Sequence, residues 1–210
     1  MDITDPAIDR YLHGLASPED PVLREMEMLG AERSFPIVGP QVGQLLYVLA
    51  KAVSARRVIE LGSGFGYSAY WFASAVGDDG QVILTERSAE RAAEARTFLK
   101  RGGLLDRVRI EVGDGLEIID GVGGDFDIVF NDIDKERYPL VLDKAAAALR
   151  PGGLLISDNM LWFGSVLDDP LVDESAVGVR ELTQRLLESD DFRTVVLPLR
   201  DGVSVSIYGR

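Results

Sequence analysis

The sequence predicts a doubly wound α/β fold: a mostly parallel seven-stranded sheet, closed by an antiparallel C-terminal hairpin and preceded by helices. Three observations carry this. From residue 57 onward, short apolar segments alternate with amphipathic helical ones, the rhythm of a parallel sheet covered on both faces. Residues 1 to about 55 show helical spacing instead. The last two apolar segments, 192–199 and 202–209, are joined by the short turn Arg200-Asp201-Gly202, which signals a hairpin.

The elements follow in order. Asp20-Pro21 is a helix start, a capping carboxylate followed by proline in the first turn. PQVGQLLYVLAKAV (40–53) gives the next helix. Strands are predicted at RVIEL (57–61), QVILTE (81–86), RVRIEV (107–112), FDIVFND (126–132) and GLLIS (153–157). Between them, helices are predicted at 68–76, 88–100 and 138–150, and VRELTQRLLES (179–189) precedes the hairpin.

Bulk properties narrow the function. A chain of 210 residues that is 46% hydrophobic suits one domain with one sizeable core, residues 1–55 forming a helical segment and 56–210 the sheet. No apolar run approaches the roughly 20 residues that span a bilayer. The acidic start, MDITDPAIDRYLHG, has neither the basic nor the apolar part of an export signal, so a cytoplasmic location is expected. Absence of cysteine excludes disulfides and thiolate metal sites. A net charge of −13 argues against nucleic-acid binding, which relies on Lys and Arg. His13 is the one histidine and receives no catalytic role.

In such a sheet the ligand sits at the carboxyl ends of the strands. Polar residues fall there, strand after strand. ELGSGFGYS (60–68) follows strand one, with Gly62, Gly64 and Gly66 just before a helix. The plain reading is a glycine-rich turn; the functional one is a cofactor loop. A dinucleotide loop has the spacing G-x-G-x-x-G, yet here the third glycine arrives one residue early. Glu86 ends strand two, where a carboxylate can accept ribose hydroxyls or simply pair with Arg87. Asp114-Gly115 follows strand three, as an adenine neighbour or only a turn.

Strand four ends in Asp132, with Lys135 three residues on, and strand five in Asp158-Asn159. Two carboxylates and an amide oxygen form a hard-oxygen set suited to Mg²⁺, Ca²⁺ or Mn²⁺. Taken singly, Asp158-Asn159 also reads as an Asx turn or helix cap. Trp162 and Phe163 follow directly, either flanking a planar substrate or packing in the core.

G-x-G-x-G preceded by Glu60 resembles the S-adenosylmethionine loop of class I methyltransferases. The pairing of FNDIDKERY with SDNMLWFGSV, together with DGVSVSIYG at the end, resembles the cation-dependent O-methyltransferases more specifically. That family includes catechol and caffeoyl-CoA O-methyltransferases and small bacterial relatives, and the likeness runs from about residue 18 to the C-terminus. It implies a Rossmann-like methyltransferase fold with S-adenosylmethionine and a divalent cation as cofactors. Asp132, Asp158 and Asn159 match the metal ligands, and Lys135, beside Asp132, matches the catalytic base. The cofactor set that the resemblance and the strand-end positions imply is Val38, Glu60, Gly62, Gly64, Ser68, Glu86, Arg87, Asp114, Gly115 and Asp132. The sequence departs from the family pattern in the extra central glycine of GSGFGYS, Gly64, in GDG where GDA is commoner, and in Asn131 and Ile133 around Asp132.

The resemblance implies methyl transfer to a hydroxyl of a small catechol-like diol, by a likeness that also suggests a homodimer. Alternatives are a relative acting on a modified tRNA nucleoside, a non-catalytic S-adenosylmethionine-binding protein, and a dehydrogenase on the same sheet. The acidic surface counts against the first, Lys135 and the intact ligand set against the second, and the glycine spacing against the third.

Overall fold

The computed structural model describes residues 5–209, so the first four residues of the expected helical segment lie outside it. Helices α1 (Pro6–Leu15), α2 (Pro21–Glu32) and α3 (Gly39–Ala52) come first. Asp20 caps α2 by accepting the Val22 N–H at 2.7 Å, as the Asp-Pro pair predicts. Its second oxygen accepts the Tyr70 hydroxyl at 2.7 Å, so the cap also ties α2 to a later helix.

The strands are β1 (Arg57–Leu61), β2 (Gln81–Glu86), β3 (Val108–Val112), β4 (Phe126–Asn131), β5 (Leu149–Ser157), β6 (Phe192–Leu197) and β7 (Val203–Tyr208). They form one seven-stranded sheet in the order β3-β2-β1-β4-β5-β7-β6. β1 to β5 pair in parallel, and β7 runs antiparallel to both β5 and β6. The hairpin therefore folds inward: its second strand fills the place beside β5, and its first becomes the edge. The chain reverses its winding between β1 and β4, and a crevice opens above that point.

Helices α4 (Tyr67–Val76), α5 (Ala89–Arg101), α6 (Gly115–Gly121), α7 (Val141–Ala148) and α8 (Glu174–Glu188) complete the layers. Successive strand residues point to opposite faces, so Val58 joins Leu46 and Phe72 on one side while Ile59 joins Tyr138 and Val179 on the other. Full burial of a residue such as Leu46 or Leu155 contributes about 1.5–3 kcal/mol relative to exposure.

The predicted bounds shift where the backbone has other partners. The expected helix 138–150 begins as a 3₁₀ segment, Lys135–Leu140, because Pro139 cannot supply the N–H of a regular turn. It ends at Ala148, and Leu149 already pairs with Phe126 in the sheet. α8 starts five residues earlier than the predicted 179, at Glu174, capped by the Asp173 carboxylate on the Ser175 N–H. α6 has no counterpart in the sequence pattern: seven residues are too short to show a helical period.

Candidate active site

The loop after β1 forms the first wall. Gly62 has φ +79°, and a β-carbon there would lie 2.7 Å from the Asp132 carbonyl oxygen. Gly66, the third glycine, starts α4 at φ +89°, where a β-carbon would meet that of Ala95 at 2.8 Å. The early third glycine is thus a packing requirement between α4 and α5.

Glu86 reaches this loop from β2. One oxygen accepts the Gly64 N–H at 2.8 Å and the other the Ser88 N–H at 2.8 Å. Glu60, expected as a cofactor contact, lies below the loop. It is fully buried beneath the loop and accepts the Ser63 hydroxyl at 2.8 Å and that of Ser68. Burial pushes its carboxyl up to about 8, against the pull of the two serines, with the charges of Asp132 and Glu86 adding to the rise. It supports the loop from below, while Ser63 and Ser68 line the cleft.

Asp114 caps α6 through the Leu116 N–H at 2.9 Å and receives Arg87 at 3.0 Å and Arg137 at 2.7 Å. Arg87 also pairs with Asp134 at 2.6 Å, so the ends of β2, β3 and β4 are joined by ion pairs across the rim. Gly115 packs against Thr85, and buried Val38 closes the side opposite, just before α3.

The second wall comes from β4 and β5. Lys135 Nζ donates to Asp132 Oδ1 at 2.6 Å and to the Ile133 carbonyl at 3.1 Å. The same ammonium lies 5.3 Å from the Tyr138 ring centre and 5.9 Å from that of Trp162. Asp158 is only 3% exposed, and its Oδ1 has no hydrogen-bond partner. Burial pushes its carboxyl up to about 7, the charge of Asp132 adding to the rise; burial also raises Asp132, against the pull of Lys135. Tyr138, fully buried, donates to the Asp158 carbonyl at 2.8 Å.

Asn159, Trp162 and Phe163 all hold left-handed backbone, at φ +56°, +43° and +53°. Trp162 packs partly on the core around α8 and donates through Nε1 to Asp173 at 2.7 Å, whereas Phe163 is 64% exposed at the cleft. Trp162 thus does both, packing on the core while lining the cleft, and Phe163 is exposed at the cleft.

Both walls face one cleft of about 700 Å³. It brings together Val38, Gly62, Gly64, Ser68, Glu86, Arg87, Asp114, Gly115, Asp132, Lys135, Asp158 and Asn159, and leaves Glu60 beneath the floor. Among the described residues no group of three or more His, Cys, Asp or Glu gathers around a metal-sized space; the cleft offers two carboxylates and an amide. Two residues outside the expected site set make contacts that the sequence did not show. Arg200 donates to the Ile37 carbonyl at 2.8 Å, and Asp201 accepts from Asn159 and Phe163. Arg200 read only as a turn residue, and Asp201 as a turn residue that opens DGVSVSIYG, because nothing local shows where a hairpin will dock.

A twisted sheet with this winding, a glycine loop after β1 and an acidic residue ending β2 define a nucleoside-type cofactor cleft. A family model described as O-methyltransferase matches residues 15–207. The chain is 34% identical over 208 residues to a catechol O-methyltransferase of Mycobacterium tuberculosis, covering 98% of this chain and 90% of that protein. Among solved structures, an O-methyltransferase from Bacillus cereus in complex with S-adenosylhomocysteine superposes with a TM-score of 0.87. The two are 28% identical, covering 96% of this chain and 97% of that one. The O-methyltransferase TomG from Streptomyces achromogenes, in complex with S-adenosylmethionine, gives 0.88 at 28% identity, covering 97% and 96%. The chain belongs to this family of S-adenosylmethionine-dependent O-methyltransferases.

Proposed function

We propose that the protein transfers a methyl group to one hydroxyl of a small vicinal diol of the catechol type, and that it needs a divalent cation to do so. The observation that carries this is Asp158 Oδ1, a buried carboxylate oxygen without a partner, beside a second carboxylate. A buried unpaired acceptor is costly unless a proton or a cation meets it. Asp132, Asp158 and the Asn159 amide would hold the ion, a hard-oxygen set that leaves room for two acceptor oxygens.

When bound, S-adenosylmethionine supplies the activated methyl group, and the cation favours the ionised form of a coordinated hydroxyl. The chain's own residues do the rest. Gly62, Gly64 and Glu86 bind the donor's nucleoside end, and Glu60 keeps that loop in shape. Lys135, held by Asp132, would act as the neutral amine: after giving up its own proton to solvent it would take the proton of the attacking hydroxyl. Trp162 and Phe163 flank the acceptor ring and limit its approach to an in-line one.

EDTA should abolish turnover of catechol, and Mg²⁺ should restore it. S-adenosylhomocysteine binding should persist in EDTA, because its contacts lie on other strand ends. A monophenol should be a poor acceptor, being unable to chelate. Full turnover in EDTA would overturn the reading.

The same proposal includes a single domain, a homodimer and a cytoplasmic location. The cleft is lined from both Phe35–Val38 and the strand ends, which supports one functional unit. Helix α1 buries no residue and exposes Ile8, Tyr11 and Leu15, which suits a face covered by a second copy. Light scattering at about twice the 22.9 kDa chain mass would support pairing, and the chain mass at every concentration would refute it.

A further inference from the structure

Asp201 lies in the β6–β7 turn, 42 residues from Asn159 in sequence, yet the two are in contact. Two backbone bonds dock the turn onto the loop after β5: the Met160 N–H donates to the Gly202 carbonyl and the Leu161 N–H to the Asp201 carbonyl, each at 2.9 Å. The fit is close, since a β-carbon on Gly202 would lie 2.6 Å from Leu161 Cγ. The Asp201 carboxylate then divides its oxygens. Oδ1 accepts the Phe163 N–H at 2.6 Å, and Oδ2 accepts Asn159 Nδ2 at 3.2 Å.

A carboxylate can only accept, whereas an amide side chain has one accepting and one donating end. The end of Asn159 that faces Asp201 therefore has to be its nitrogen, and the oxygen is turned to the other side. Asn159 lines the cleft together with Asp132 and Asp158. We infer that Asp201 is a positioning residue: it sets the Asn159 amide so that oxygen, not nitrogen, is presented to a divalent cation held by Asp132 and Asp158. The inference rests on the cation reading above. An amide nitrogen carries two hydrogens and cannot ligate, so orientation decides whether Asn159 is a ligand at all.

The isosteric variant Asp201→Asn separates orientation from packing. The Phe163 N–H still requires an acceptor, so the new amide keeps its oxygen there and presents its nitrogen to Asn159. Asn159 must then turn its own oxygen toward that nitrogen, which leaves nitrogen toward the cleft. Mn²⁺ affinity, read from the electron paramagnetic resonance of the free ion, should fall about 10–100-fold, the usual loss when a group that orients a ligand is removed. S-adenosylhomocysteine affinity and melting temperature should stay near those of the parent.

Adding Asn159→Asp to that variant should bring Mn²⁺ affinity back to within a few-fold of the parent. One oxygen of the new carboxylate accepts from the amide introduced at position 201, and the other is left for the ion. The double variant is measured whether or not Asp201→Asn folds alone. Parent-like Mn²⁺ binding by Asp201→Asn, or no recovery in the double variant, overturns the inference while leaving the cation reading standing. Absence of Mn²⁺ and Mg²⁺ binding by the parent protein overturns both.

Discussion

A β-carbon placed on Gly115 would lie 2.7 Å from Oγ1 of Thr85. That hydroxyl is not free to turn away, because it donates to the Glu60 carbonyl at 2.8 Å and accepts the Gly62 N–H at 3.2 Å. It forms a crosspiece between β1 and β2 at the root of the glycine loop. Glycine at 115 thus has a local reason: the neighbouring strand carries a threonine whose hydroxyl fills the space.

Gly115→Ala should therefore lower stability by about 1–3 kcal/mol, the usual effect of overfilling a packed position. Thr85→Ala removes the obstructing hydroxyl, so the double variant should lose less than the two single losses added together. Denaturant unfolding of the four proteins checks this, and strict additivity would refute the coupling.

Glu60 should make stability depend on pH. Its folded carboxyl titrates at about 8 against an ordinary 4.5, so between those values the folded protein keeps a proton that the unfolded chain has lost. With more protons bound in the folded state, stability falls as pH rises through this window and levels off above it. The contribution is fully present below pH 4.5 and lost as pH passes about 8. Glu60→Gln should flatten this part of the curve; an unchanged slope between parent and variant would refute the assignment.

Asp158→Asn should leave the metal-free protein at least as stable as the parent, since it removes a buried charge from beside Asp132. Turnover should fall more than about 100-fold, because the proposed cation site loses a carboxylate. A variant that unfolds in EDTA while the parent does not would show that the carboxylate is needed for structure instead.

Lys135→Met should lower kcat by about 10²–10⁴-fold, the usual contribution of a positioned acid or base. Affinity for S-adenosylhomocysteine should change little, because Lys135 bonds Asp132 and the Ile133 carbonyl and not the glycine loop. Unchanged kcat would remove Lys135 from the mechanism.

Glu86→Ala should weaken S-adenosylhomocysteine binding by about 1.5–3 kcal/mol, measured by calorimetry. Part of that loss comes through the loop, since Glu86 also holds the Gly64 N–H. Unaltered affinity would move the nucleoside end elsewhere in the cleft.

Much of this was legible in the chain itself. A strand buried on both faces is a run of apolar residues, so a polar residue at its carboxyl end stands out. That is why Glu86, Asp132 and Asp158 could be picked from the ends of QVILTE, FDIVFND and GLLIS, and why the glycines before α4 marked a loop. Local chemistry likewise announced the α2 start at Asp20-Pro21. What tertiary structure alone decided is everything that depends on partners far along the chain. That Glu60 lies buried under the loop, with the Ser63 and Ser68 hydroxyls on its carboxyl, is one example. The hairpin was visible as a hairpin, but the placement of β7 between β5 and β6 was not. That placement brings Asp201 to Asn159 and Arg200 to Ile37. Such contacts join residues whose separation in sequence carries no period and no motif, and they form only once a complete sheet holds its turns in register.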